Sequence, residues 1–76
     1  MQQTINHKGA FVQVANALNI QIQQKDEKVF AEVDEKTKTK FLRYYKKQLN
    51  SLDILKYIDY WVCKFSGIIL YRIELR

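Results

Sequence analysis

Apolar positions recur at helical spacing through the middle of the chain and at alternating spacing on either side of it. From Asp34 to Leu52, winding at about 3.6 residues per turn puts Phe41, Leu42, Tyr45, Leu49 and Leu52 on one side and Lys36, Lys40, Arg43 and Lys47 on the other. Asp34 has the side chain of an N-cap. Glu35 in the first turn and Lys46 and Lys47 in the last complement the helix dipole. Asn50 and Ser51 mark the end of this helix.

Upstream, two periods compete between Gly9 and Asn19. A helix gathers Ala10, Phe11, Val14, Ala15, Ala17 and Leu18 on one face, whereas a strand alternates Val12, Val14, Leu18, Ile20 and Ile22 but is interrupted by Asn16. The alanine content and the narrow polar face favour a helix over residues 9–18. Leu18 to Gln24 then alternates Ile20 and Ile22 with Gln21 and Gln23, and Lys28 to Val33 alternates through Val29, Ala31 and Val33. Around the polar Lys25-Asp26-Glu27, these runs predict a hairpin, although the turn lacks the Gly or Asn that tight hairpins favour.

Downstream, Ser51 is placed to cap a second long helix that Gly67 ends, with Ile54, Leu55, Ile58, Trp61, Val62 and Phe65 on one face and Asp53, Lys56 and Lys64 elsewhere. Ile68 to Leu75 reads as a strand. Its apolar opening suggests burial on both faces, and Tyr71, Ile73 and Leu75 then alternate with Arg72 and Glu74. The elements together predict a small two-layer α+β domain, with a three-stranded antiparallel sheet (the hairpin plus the C-terminal strand) packed against two or three helices. It spans residues 1–76 as a single unit, with residues 1–8 expected to form a mobile N-terminus. The chain has no Pro and only Gly9 and Gly67, so its loops should be short.

At 76 residues there is room for one core only, and 47% apolar content with ten aromatic side chains is enough to fill it. Cys63 has no second cysteine to pair with, which points to a reducing compartment. No apolar run has the length of a signal sequence or membrane span, so a soluble, cytoplasmic protein is expected. The net charge of +5 is uneven, with residues 1–35 carrying −2 and residues 36–76 carrying +7. Such asymmetry directs attention to a polyanionic or acidic partner.

The row Lys36, Lys40, Arg43 and Lys47 is the leading candidate site, because cations three or four residues apart on a helix stand about 5 to 6 Å from each other and can track successive phosphates. Lys46 and Lys38 would widen it, and Tyr44 beside it offers a ring for stacking on a base or anchoring an interface. Tyr57 and Tyr60 flank the apolar face of the second helix in the same manner. A solvated helix face and a tyrosine at the rim of the core are the plainer alternatives.

Other chemistry is poorly supplied. His7 and Cys63 are one possible nucleophile pair without an orienting third group, and zinc needs three or four ligands where there is one His and one Cys. Asp26, Glu27, Glu32, Asp34 and Glu35 have no EF-hand spacing, and no glycine motif cradles a phosphate. No enzymatic activity, cofactor or metal is therefore expected.

The sequence points instead to a small basic binding protein that docks through the cationic helix on nucleic acid or on a nucleic-acid-handling complex. Its contacts would be Lys36, Lys40, Arg43, Tyr44, Lys46 and Lys47. Base-specific reading is not indicated, since a helix-turn-helix over residues 9–24 conflicts with the Ile20/Ile22 alternation. The alternative is a protein-binding antagonist or adaptor of the phage or plasmid type (anti-restriction, anti-CRISPR or toxin-antitoxin-like) that blocks a partner sterically. An outer strand is free to build a homodimer, and membrane attachment is not expected because the core explains the helix's apolar face.

Overall fold

A computed structural model describes residues 6–50 and 53–76. Two α-helices and a four-stranded antiparallel sheet of order β1-β2-β4-β3 form a two-layer α+β domain.

The first helix, α1, is His7–Ala17, the helical reading of this stretch. Asn6 caps it by accepting the Gly9 N–H at 2.9 Å. The cap folds back so closely that a Cβ on residue 9 would stand 2.6 Å from the Asn6 amide nitrogen. His7 and Lys8 form the first turn of this helix. Ala10, Phe11, Val14 and Ala15 are buried, and Asn19, at φ 58°, takes the left-handed conformation that ends many helices.

The hairpin forms as β1 (Gln23–Lys25) and β2 (Lys28–Val33), but its first strand is shorter than the alternation from Leu18 predicts. Ile20 and Ile22 pack against the core from an irregular segment. The turn is two residues rather than three. Asp26 and Glu27 adopt φ of 54° and 64°, the backbone that a two-residue hairpin requires, without the usual Asn or Gly.

Helix α2 runs Glu35–Leu49, with Asp34 accepting the Thr37 N–H at 2.7 Å and Asn50 closing it in the left-handed region. Leu52, expected on its apolar face, and Ser51, expected to cap a following helix, lie outside the described residues. That following helix is replaced by a 3-10 turn, Ile54–Lys56, and a strand, β3 (Ile58–Phe65), which pairs along its whole length with β4 (Ile68–Leu75). The sheet therefore has four strands where three were expected. Ser66 and Gly67 make the β3–β4 turn with φ of 47° and 83°.

Alternation along the strands separates the two faces of the sheet. Val29, Ala31, Val33, Ile58 and Ile73 are buried with the helices, around an aromatic cluster in which Phe11 meets Phe41 edge-on at 5.0 Å and Phe41 stacks on Tyr45 at 5.7 Å. No helix among the described residues covers the opposite face. Phe30 is buried there by the Arg72 guanidinium, 3.6 Å from its ring centre, and Glu74 bridges Arg72 at 3.3 Å and Lys28 at 3.6 Å. β2 pairs with β4 only from Tyr71 to Glu74, so the outer half of the β3–β4 hairpin extends past the end of β2. The domain is correspondingly elongated, 50 × 26 × 21 Å. No helix among the described residues is long and apolar enough to cross a membrane.

Candidate nucleic-acid interface

Helix α2 is pinned on its inner side by Phe41, Tyr45 and Leu49, all buried in the core. The Tyr45 hydroxyl donates to the His7 carbonyl at 3.2 Å, and Gln48 donates to Gln13 at 2.7 Å, tying α2 to α1 at two points. With that side fixed, about 100° of rotation per residue turns Lys36, Lys40, Arg43 and Lys47 outward as one row. All four are exposed, as are Lys46 and Tyr44. None of these five cations makes an ion pair with an acidic side chain among the described residues.

Lys38 does not widen the row. It lies on the inner side of α2, where the helix passes over the hairpin, and its ammonium sits 4.6 Å from the Tyr71 ring centre and 5.7 Å from that of Tyr60. The cation covers two aromatic faces instead of facing solvent. Tyr44 is 42% exposed, beside Lys47 at the mouth of a shallow groove between the helices lined by Gln13, Val14 and Ala17.

The row has an acidic end. Asp34 and Glu35 sit beside Lys36 in a second shallow groove with Thr39, Lys40 and Arg43. Hydrogen bonds from Thr37 hold the Asp34 carboxyl below its ordinary value, and the Lys36 and Lys40 charges add to this. Asp34 is therefore ionised at neutral pH. From Lys40 to Lys47 every charged side chain of the helix is positive.

The structure separates the other candidates. His7 stacks on Tyr57, ring centres 5.1 Å apart, in the helical layer, whereas Cys63 is a free thiol on the opposite sheet face. Among the described residues, no three His, Cys, Asp or Glu side chains gather as a metal site would require. Tyr57 and Tyr60 belong to the end of the 3-10 turn and to β3, not to a helix.

A second surface escaped the sequence reading. Phe65 (56% exposed), Ile68 (59%) and Ile69 (55%) lie on the overhanging end of the β3–β4 hairpin, and Trp61 (43%) and Val62 (46%) adjoin them on β3. Their spacing in the sequence suggests instead the apolar face of a helix for Trp61, Val62 and Phe65 and a strand buried on both sides for Ile68 and Ile69. The signal that could have found them is the Ser66-Gly67 pair between two runs of aromatic and β-branched residues, which is a hairpin pattern.

Comparison with protein-family models, with curated proteins and with solved structures finds no match to this chain.

Proposed function

We propose that this protein is a non-enzymatic binding module that holds nucleic acid, or the nucleic acid of a larger complex, along the outer face of α2. The observation that carries this reading is the outward, exposed row Lys36, Lys40, Arg43 and Lys47, none of which forms an ion pair among the described residues, with Asp34 and Glu35 beside its Lys36 end alone. Lys46 flanks the row, and Tyr44 supplies a ring at its edge for an unpaired base. Four cations on phosphates release their counterions on binding and grip the backbone without reading sequence.

The test is affinity for single- and double-stranded DNA and RNA as a function of salt. Four phosphate contacts give a slope of about −3.6 in log affinity against log salt on duplex DNA, so raising salt fourfold weakens binding on the order of 100-fold. Lys40→Glu with Arg43→Glu removes two contacts and should at least halve the slope. Absence of binding to every one of these polymers at low salt, or an unchanged slope in the double variant, would overturn the proposal.

A second reading, a protein-binding antagonist or adaptor, is favoured by the apolar hairpin end. It expects a stoichiometric protein complex that tolerates the same double substitution.

A further inference from the structure

The two outer strands of the sheet differ in how they are protected. β1 is three exposed residues, Gln23–Lys25, too short to template another strand. β3 is eight residues in unbroken register with β4, with no proline or bulge. Its only charges are Asp59 and Lys64, and Asp59 is already bonded to Arg76 at 2.6 Å. Edge strands usually carry defences against pairing, and this one carries aromatic and β-branched side chains.

We infer that β3 is the interface between two copies of this chain, paired antiparallel about a two-fold axis into a continuous eight-stranded sheet with both helical layers on one side. Charge does not oppose a second copy as the occupant, and the self-complementary side-chain pairs along β3 favour it. The row of cations on α2 lies on the layer facing away from the sheet, so the copies meet along edges that are nearly neutral.

Side-chain chemistry selects the register. Residues opposite each other must share a sheet face, which places the axis beside a residue and not between two. With the axis at Val62, Tyr60 of each copy faces Lys64 of the other, repeating the contact that Lys38 makes with Tyr60 at 5.7 Å, and Trp61 faces Cys63. With the axis at Trp61, Lys64 would instead face Ile58, which is fully buried. In the Val62 register, each overhanging tip reaches the base of the other copy's β3, close to Leu55, which is 53% exposed.

The area is sufficient. Leu55, Tyr60, Trp61, Val62 and Phe65 are 39% to 56% exposed. Burying all of that exposure would remove at most on the order of 500 Å² per copy, about 1,000 Å² for the pair, the size at which specific interfaces begin.

Light scattering and sedimentation of the full chain over a range from low to several hundred micromolar should show a monomer–dimer equilibrium. Val62→Lys puts two ammonium groups opposite each other at the axis and should weaken dimerisation at least tenfold. Ile69→Lys, at a position more exposed than Val62 but on β4, should leave dimerisation within about threefold, and circular dichroism reports whether each variant folds. Independently of those variants, Val62→Cys in a Cys63→Ser background should form a disulfide-linked dimer on mild oxidation, while the chain with Cys63 alone should not. A chain that stays monomeric throughout overturns the inference. So does equal weakening by Val62→Lys and Ile69→Lys, or failure of the Val62→Cys chain to cross-link.

Discussion

Replacing Tyr45 with Phe isolates one hydroxyl in the centre of the molecule and gives a pH dependence whose sign is fixed in advance. Burial, reinforced by the charge of Tyr57, pushes the Tyr45 phenol up from 10.0 to about 12. A raised folded-state value means the contribution to stability is fully present below about pH 10, where neither state ionises. It is then lost as pH climbs through the folded value, because only the unfolded chain releases the proton freely. At neutral pH the hydrogen bond to the His7 carbonyl should make the wild type more stable than Tyr45→Phe by about 1 kcal/mol. At pH 11, one unit above the unfolded value and one below the folded value, ionisation costs the wild type alone on the order of 1.4 kcal/mol, a factor of ten. The two effects cross, so Phe becomes the more stable residue near pH 11. Urea unfolding of both proteins at pH 8, 9.5 and 11 reads this difference directly. A difference that stays constant up to pH 11 would refute the assignment of Tyr45 as a buried neutral phenol.

Two further substitutions test the local geometry. Asp26→Asn with Glu27→Gly supplies residues suited to the positive φ of the β1–β2 turn, and should raise stability by about 0.5 to 1 kcal/mol and the melting temperature by about 4 °C; a fall would contradict the turn. Asp34→Asn keeps an acceptor for the Thr37 N–H but cannot titrate. Because the Asp34 carboxyl lies below its ordinary value in the fold, its contribution is present above about pH 4 and lost as pH falls through the lower folded value, so the wild type should lose more stability than the variant on acidification. Parallel acid-unfolding curves would remove Asp34 from the cap.

The parts of the fold that could be read from sequence are those where one face is buried and the other is wet. In α2, Phe41, Tyr45 and Leu49 against Lys36, Lys40, Arg43 and Lys47 leave one solution, and the candidate cations all emerge exposed. In α1, Ala10, Phe11, Val14 and Ala15 decide between two periods in the same way. β3 defeats that logic because it is an edge strand whose end lies beyond β2. Trp61, Cys63 and Phe65 are on one face and Tyr60 and Val62 on the other, so no polar side alternates with an apolar one. Ile54, Ile58, Trp61, Val62 and Phe65 happen to fit a helical face. Lys38 departs from the expected row because its charge alone argues for the wet side, whereas its spacing from Phe41 and Tyr45 puts it on the inner side of α2, where Tyr60 and Tyr71 receive the cation.

The strand order carries a consequence for how the chain is made. β4 occupies the interior of the sheet, yet it is the last of the four strands to leave the ribosome. α1, the first hairpin and α2 emerge earlier and can dock through Phe11, Phe41 and Tyr45, but β2 must wait for a neighbour encoded roughly forty residues downstream. Until it arrives, the growing polypeptide is a helical pair with one unsealed ribbon, and any error in closing the final hairpin leaves that ribbon open to whatever lies nearby.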